Sequence, residues 1–550
     1  MKAFLMFPDR DFDPAAALVP HADDLQRDLE LPALVSAMSA GDAFLSDVAR
    51  AALLGSLTEP AEIEYRQHVL RDCLENPEAL REMYALAVET ITRQKHVFSW
   101  TTKYPPGILQ HALELLEIFV HQLKILRAIA VDNASRFSSH GFSRFFAMLQ
   151  DELDDDYFDE IDRHLRRLRL RDGVLVSANL GDDGHGAGLT LRRSLNEKPS
   201  LSERLSALTH PDPSFRIADR DEAGADALRD MRGQGINLVA DALARSTDHI
   251  LSFFVMLQRE LGFYIGCLNV AERLREKGQH IAFPAASPPS RPVFDADGLY
   301  DVALALVSDD TAVGNDVHIG TRSLLVITGA NRGGKSTLLR AIGLAQLMTQ
   351  CGMYVGADAL AASTCSALYT HFKREEDETM TSGKLDEELA RMSDIADAVS
   401  PGGLVLFNES FASTNEREGS EIARQVVRAL LDSRIRVAYV THMYDLAHGF
   451  AETDAARTLF LRADRERTFS LTEAPPLTTS FGGDLYERIF ETGTATGVSR
   501  PAAQETGAPE AAAPEAGESA SAAVGAGRIA PPESASPAFT TRTECNTERA

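Results

Sequence analysis

A glycine-rich segment, residues 329–337, has the residue types and the spacing that bind phosphate groups. It reads Gly329-Ala330-Asn331-Arg332-Gly333-Gly334-Lys335-Ser336-Thr337. This sequence fits G-x-x-x-x-G-K-[ST] at every fixed position. Glycines let backbone N–H groups turn towards phosphate oxygens, and the positive end of a following helix adds to the attraction. Lys335 would reach the β- and γ-phosphates and the Ser336 hydroxyl would ligate Mg²⁺, so the segment predicts a nucleoside-triphosphate site.

The residues on both sides of this loop have the pattern of a strand and a helix. Residues 324–328 are an apolar β-type run, and residues 338–342 open a helical pattern. An ordinary strand–turn–helix junction is the alternative interpretation. The complete lysine–serine pair in this context favours the phosphate site.

Two later strand ends supply residue types that hydrolysis of a phosphoanhydride needs. The apolar run 404–407 leads to Asn408 and Glu409, where the second motif of a phosphate site belongs. Glu409 would orient and deprotonate the attacking water. The preceding position is normally an aspartate that holds Mg²⁺, whereas Asn408 has no charge. A third strand, residues 435–440, ends in Thr441-His442, and His442 is placed to contact the γ-phosphate.

Three other segments are less specific. Ser382-Gly383 precedes a helical pattern and could present a hydroxyl and N–H groups to a phosphate from a second subunit, although an ordinary helix start has the same sequence. The acidic run 151–157 is interpreted as a solvated face rather than a metal site. The basic run 163–171 could contact phosphates, but a solvated face that offsets the adjacent acidic run is favoured.

The elements that must position these residues fall into two regions. Residues 20–290 have a mostly helical pattern, apart from a β-hairpin within Gly173–Arg192. A proline-rich linker, residues 283–292, lies at the end of this region. A long helix from Ile236 to Lys277 has heptad-like apolar spacing and would be about 60 Å long, able to transmit movement or simply to pack. Strands and helices then alternate from about Val293 to Glu491, which indicates an α/β domain.

Composition limits the class of protein. The formal net charge of −26 disfavours a protein that coats nucleic acid, without excluding a local basic groove. The apolar segment from Ile108 to Ala130 is interrupted by charged residues, so we expect a buried helix rather than a membrane span. Five scattered cysteines and no signal sequence predict a cytoplasmic protein. Residues 492–550, rich in Ala, Pro and Glu, predict a disordered tail.

These motifs resemble the MutS family of DNA mismatch-repair ATPases. The run from Thr328 to Thr337 is similar to the family's T-G-P-N-M-G-G-K-S-T, and its Asn-x-Gly-Gly interior is more specific than a generic phosphate loop. Further agreement lies in Tyr354-Val355-Gly356-Ala357, Ser382-Gly383-Lys384, Asn408-Glu409, Thr414 to Gly419, Thr441-His442 and Ser480-Phe481-Gly482. The resemblance is strong over residues 295–487 and fainter over residues 20–290.

The resemblance implies an α/β P-loop NTPase domain of the ABC type, preceded by a large, mostly α-helical core and lever domain. The expected divisions are an N-terminal segment 1–19, the helical domain 20–290, the ATPase domain 291–491 and the tail 492–550. It also implies ATP and Mg²⁺ as ligands and a homodimer. In such a dimer Lys335, Ser336 and Asn408 would hold phosphate and metal, Glu409 and His442 would be catalytic, and Ser382 would act in the partner's site.

The sequence departs from the family pattern in four places. We expect too little chain before the helical core for the family's mismatch-reading and connector domains. Asn408 replaces an aspartate, Ala312 stands where an aromatic usually stacks on adenine, and Arg332 adds a positive charge within the loop.

The leading hypothesis is an ATP-driven DNA-binding clamp or switch in DNA repair or recombination, without its own mismatch reader. The alternatives are an ATP-binding regulatory protein that engages a protein partner, and a scaffold with weak or no hydrolysis. A transporter motor is disfavoured because no membrane segment is predicted.

Overall fold

The computed structural model describes residues 1–97, 104–170, 175–182, 186–192, 218, 220–374, 383–466 and 468–477. All of the described helices and strands belong to one compact unit, Met1–Arg488. The predicted tail, residues 492–550, and the motif Ser480-Phe481-Gly482 lie outside the described residues.

Helices occupy most of the described residues from 22 to 168. They are α1 (Ala22–Asp28), α2 (Leu31–Ser39), α3 (Ala43–Leu54), α4 (Pro60–Glu75), α5 (Pro77–His96), α6 (Pro105–Asn133), α7 (His140–Glu152) and α8 (Asp155–Leu168). A proline stands in the first turn of α2, α4, α5 and α6. Proline suits this position because the N–H that it lacks has no partner within the helix.

The segment from Leu31 to Leu57 has helical apolar spacing, and the structure divides it between two helices, α2 and α3. Ala40 and Gly41 between them have φ angles of 47° and 90°, the left-handed conformation that ends helices. The Asp42 side chain then accepts hydrogen bonds from two backbone N–H groups and caps α3. The turn therefore overrides the periodicity.

The apolar segment from Ile108 to Ala130 lies within α6, and most of its apolar side chains are buried in the helical core. This confirms the prediction of a buried helix. Among the described residues, α9 (Glu222–Glu276) is long and apolar enough to cross a membrane, but 67% of its apolar window is buried inside the protein. Such burial is typical of a core helix.

The predicted hairpin is confirmed, since β1 (Leu175–Leu180) and β2 (Gly186–Arg192) pair in antiparallel fashion. The predicted start of the long helix is wrong, because α9 begins at Glu222 rather than Ile236. Asp221 caps the helix by accepting from the N–H of Gly224. The first turns are mostly exposed and so need no apolar pattern. The 55 residues make α9 about 80 Å long.

A six-stranded sheet forms the centre of the C-terminal region. Its strands are β6 (Leu324–Gly329), β8 (Leu368–Phe372), β9 (Leu404–Asn408), β10 (Arg436–Val440), β11 (Thr458–Ala463) and β12 (Leu471–Glu473), in the order β12-β11-β6-β10-β9-β8. All neighbours are parallel except β11 and β12. The helices are α11 (Lys335–Gln350), α12 (Lys384–Ala398), α13 (Glu416–Asp432) and α14 (Tyr444–Thr453). A parallel sheet covered by helices explains why its central strands, such as β6 and β9, are mostly apolar.

A second sheet has the order β3-β7-β4-β5. It consists of β3 (Ala285–Ser287), β4 (Phe294–Leu299), β5 (Asn315–His318) and β7 (Ala359–Ser363), with α10 (Val302–Val307) after β4. β3 lies inside the predicted linker and pairs in parallel with β7, so the linker is in part a strand. β3 is an edge strand of this sheet, and edge strands tolerate neighbouring prolines.

Buried polar side chains of α4 and α9 hold the first twelve residues. Glu260 on α9 accepts hydrogen bonds from the backbone N–H groups of Leu5 (2.7 Å) and Phe12 (3.3 Å). Arg66 on α4 donates to the carbonyl oxygen of Met6 (3.2 Å) and to that of Cys351 (3.0 Å), just after α11. The N-terminal segment, the helical core and α11 therefore share one buried polar connection.

Replacing Glu260 by glutamine should change how the free energy of unfolding depends on pH. Burial raises the pKa of Glu260 from 4.5 to about 7, so its contribution to stability is full below pH 4.5 and is lost as the pH rises to about 7. This contribution amounts to about 3 kcal/mol. Across that range, urea unfolding should show Glu260→Gln gaining on the wild type by about this amount. The exposed Glu276→Gln on the same helix is the control, and a pH-independent difference for Glu260→Gln would contradict the prediction.

Candidate nucleotide site

The glycine-rich loop lies between the carboxyl end of β6 and the start of α11. Gly329 and Gly334 have φ angles of 108° and 88°, a conformation that glycine adopts without strain. A Cβ atom on Gly329 would lie 2.5 Å from the carbonyl oxygen of Ala463, and one on Gly333 would lie 2.8 Å from the Cβ of Ala463. The loop can therefore keep this turn, close to β11, only with glycine at these positions.

The ammonium group of Lys335 lies inside the curve of the loop. Lys335 is 5% exposed, and its Nζ donates to the carbonyl oxygens of Gly329 and Ala330, both at 3.0 Å. Burial lowers the pKa of Lys335, and the charge of Glu409 partly opposes this. A buried cation offset mainly by carbonyl dipoles fits a phosphate group as its partner.

The predicted metal ligands are in direct contact. The Ser336 hydroxyl at the start of α11 donates to Oδ1 of Asn408 at the end of β9, over 2.8 Å. Both atoms are neutral oxygens, which suit Mg²⁺ when phosphate oxygens and water complete its shell. Among the described residues there is no group of three or more His, Cys, Asp and Glu side chains that could hold a metal without such help.

The two predicted catalytic residues lie at adjacent strand ends. Nδ1 of His442 after β10 is 3.9 Å from Oε2 of Glu409 after β9, and both side chains are partly exposed. The backbone N–H of Glu409 donates to the carbonyl oxygen of Val440 (2.9 Å). This bond fixes the two strand ends to each other.

The remaining predicted positions lie in the glycine-rich loop, except Ser382, which is outside the described residues. Ala330 is buried, Asn331 and Arg332 are exposed and Thr337 follows Ser336 in the first turn of α11. Ser382 lies outside the described residues, whereas Gly383 is the cap at the start of α12. The contribution of Ser382 remains a prediction.

A cavity of about 250 Å³ opens beside the loop, with Ala312, Val313, Thr337 and Phe469 in its wall. Ala312 offers no aromatic ring, as the sequence indicates. Phe469, in the turn between β11 and β12, is 53% exposed and its backbone carbonyl accepts from Nδ2 of Asn315 (3.2 Å). Phe469 is not among the site residues predicted from the sequence, although it is the single aromatic residue within the polar run 464–470.

A larger groove of about 630 Å³ lies between α12 and α13 and includes Met392, Val426 and Leu430 in its wall. It contains none of the predicted phosphate, metal or catalytic residues. The smaller cavity beside the loop is therefore the better candidate for a nucleotide base, because it adjoins the phosphate loop.

Two family models match this chain. The MutS2 N-terminal domain matches residues 58–277, most of the helical part. MutS domain V matches residues 325–474, which include the loop, Asn408, Glu409, His442 and Phe469.

Curated relatives match over parts of their length. The chain is 29% identical over 174 residues to Endonuclease MutS2 of Bacillus velezensis, covering 30% of this chain and 22% of the relative. It is 31% identical over 146 residues to MutS protein homolog 4 of Mus musculus, covering 26% and 15%. For DNA mismatch repair protein MutS of Lactobacillus helveticus, the identity is 25% over 244 residues, covering 42% and 28%. The matched part thus spans less than a third of each of these relatives.

A large helical part, a sheet of mostly parallel strands and a phosphate-type loop define a mixed α/β protein of the nucleotide-binding class. The chain belongs to the MutS family, which confirms the resemblance in its sequence. Domain V is the ATPase domain of that family, and its presence implies nucleotide binding.

Replacing Phe469 by alanine should weaken nucleotide binding. Stacking of a base on an aromatic ring contributes about 1–3 kcal/mol, so we expect the Kd for ATP to rise roughly 10-fold. Titration of the full chain with a fluorescent ATP analogue, in competition with unlabelled ATP, measures the change. Leu180→Ala, which removes an exposed apolar side chain from the hairpin, is the control. An unchanged Kd in Phe469→Ala would place the base elsewhere.

Proposed function

We propose that this chain is an ATP-driven, DNA-binding clamp or switch that acts as a homodimer in DNA repair or recombination. The hydrogen bond between Ser336 and Asn408 is the observation that carries the proposal. It joins the phosphate loop to the end of β9, so the phosphate, metal and catalytic positions meet at one edge of a parallel sheet. This arrangement supports an ABC-type P-loop domain over residues 291–491, preceded by a core and lever domain over residues 20–290.

Each predicted residue that the structure describes has a proposed role that its position supports. The Lys335 ammonium neutralises charge on the β- and γ-phosphates, and the Ser336 hydroxyl with Oδ1 of Asn408 would hold Mg²⁺. Bound Mg²⁺ would offset charge that develops on the phosphate oxygens. The Glu409 carboxylate accepts a proton from the attacking water, and His442 beside it contacts the γ-phosphate. Ser382 would complete the partner subunit's site.

The DNA part of the proposal draws on the relatives, whose names describe DNA mismatch repair and endonuclease proteins. A second candidate is an ATP-binding regulatory or scaffold protein that engages a protein partner and hydrolyses ATP weakly or not at all. The neutral Asn408 and the net charge of −26 favour this candidate. A cytoplasmic location remains a prediction in both cases.

Glu409→Ala should abolish most ATP turnover while ATP binding persists. Loss of a general base lowers kcat by about 10²–10⁴-fold. Steady-state phosphate release and a separate binding titration distinguish turnover from affinity. The exposed Glu421→Ala on α13 is the control. Turnover that survives Glu409→Ala would overturn the catalytic assignment.

Asn408→Asp should raise Mg²⁺-dependent turnover and lower the Mg²⁺ requirement roughly 10-fold.

The proposed DNA binding should weaken steeply with salt because it depends on release of counterions from phosphates. On α8, Arg166 and Arg167 are exposed, and no carboxylate in the described part of the chain pairs with either. If they contact phosphates, alanine at both positions should reduce the slope of log K against log salt by about 1 for each lost contact. Arg229→Ala on α9 is the control, because Arg229 pairs with Asp226. Absence of binding at low salt, with and without an ATP analogue, would favour the protein-partner candidate.

A further inference from the structure

The loop from Glu409 to Ser413, the Glu409 loop, has a backbone that needs outside support. Glu409 and Phe411 have φ angles of 54° and 61°, a left-handed conformation that costs free energy for residues other than glycine. Gly419 on α13 makes room for the loop, because a Cβ there would lie 2.2 Å from the carbonyl oxygen of Phe411. The shape persists only when neighbouring groups hold it, and it decides where the Glu409 carboxylate lies.

Glu388 on α12 supplies the principal support. Its Oε2 accepts the backbone N–H of Phe411 (2.6 Å) and its Oε1 accepts the Ser413 hydroxyl (2.8 Å). Glu388 is 2% exposed. A buried carboxylate that uses both oxygens on one five-residue loop determines the position of that loop.

His371 on β8 contacts the same loop and also α12. Burial lowers the pKa of His371 to about 4, so the ring is neutral at physiological pH. Its Nε2–H donates to the carbonyl oxygen of Glu388 (2.9 Å), and Nδ1 lies 2.8 Å from the Ser410 hydroxyl. The carbonyl oxygen of Ser410 accepts from the Tyr439 hydroxyl (2.7 Å). The loop is therefore bonded at Ser410, Phe411 and Ser413.

These residues are not themselves suited to chemistry on a nucleotide. Ser410 and His371 are fully buried, so this serine and histidine cannot meet a substrate as a nucleophile and its base. Both oxygens of Glu388 are occupied by donors of the Glu409 loop. Glu388 and His371 instead bond to the loop that carries Glu409. Glu409 is partly exposed and adjacent to His442.

We propose that Glu388 is a positioning residue for ATP hydrolysis, which holds the Glu409 loop so that the Glu409 carboxylate faces the bound phosphates, with His371 supporting the same loop. The inference rests on the proposed function, because it takes Glu409 as the residue that activates water. It adds a buried carboxylate on α12 to the site and makes turnover depend on the position of that helix relative to β9.

The test compares kcat and ATP affinity in Glu388→Ala, Glu388→Gln and Ser413→Ala of the full chain. Glu388→Ala should lower kcat roughly 10²-fold, the effect of a small misplacement of a catalytic group, with the Kd for ATP unchanged. Glu388→Gln should restore most of the turnover, since its amide oxygen can accept the Phe411 N–H and its amide nitrogen can donate to the Ser413 hydroxyl. Ser413→Ala should cause a smaller fall and none beyond that of Glu388→Ala when the two are combined.

Asp394→Ala, which removes an exposed carboxylate from the same helix, is the matched control, and thermal melting checks folding of each variant. If Glu388→Ala does not fold, Ser413→Ala decides the question: a lower kcat with an unchanged Kd for ATP supports the inference, and a wild-type kcat overturns it. Wild-type kcat in Ser413→Ala and Glu388→Ala, with Glu409→Ala inactive, would overturn the inference alone. A loss in Glu388→Gln as large as in Glu388→Ala would also overturn it, because the charge rather than the positioning would then matter. Full activity of Glu409→Ala would instead overturn the catalytic assignment in the proposed function, on which the inference rests.

Discussion

The parallel register of β6, β9 and β10 is the constraint on which the rest of the site depends. Val440 pairs with Ile327 on one side and with Asn408 on the other, so β9 and β10 end together and β6 ends two residues later. The Thr441 N–H continues this ladder by donating to the carbonyl oxygen of Ile327 (3.1 Å). Parallel strands bring the residues after their carboxyl ends to one edge of the sheet. Segments far apart in sequence therefore meet without any long side chain having to reach across.

The end of α11 that lies opposite the phosphate loop is bonded to the helical part of the protein. Nε2 of Gln350 donates to the carbonyl oxygen of Leu57 (3.0 Å), whose N–H donates to the carbonyl oxygen of Gln350 (2.6 Å). Arg66 binds the next carbonyl, that of Cys351. α11 is therefore joined to the helical core by buried hydrogen bonds at the end opposite the phosphate loop. This geometry gives a MutS-family chain a physical link between its ATPase domain and its helical part.

The sequence predicts those features that local spacing determines. The glycine-rich loop, the β9 and β10 strand ends and the hairpin follow from patterns of a few residues, and the structure brings Ser336 and Asn408 into contact. The division of α2 from α3, the early start of α9 and strand β3 depend on turns, caps and sheet-edge pairing that apolar periodicity does not encode. Phe469 and Glu388 could not be predicted because each contacts a segment distant in sequence, and neither belongs to a local motif.

Asn408 alters the charge of the site more than its shape. The Ser336 hydroxyl donates to Oδ1 of Asn408 as it would to a carboxylate oxygen, so the loop and β9 keep their relation. The lost charge leaves Lys335, whose pKa burial lowers, with Glu409 as the carboxylate that opposes this shift. Glu409 is then both the expected base and the main negative charge facing the lysine. Where one carboxylate serves both purposes, the backbone that holds it must be fixed by other means, and the buried Glu388 meets that need without placing a second charge beside the phosphates.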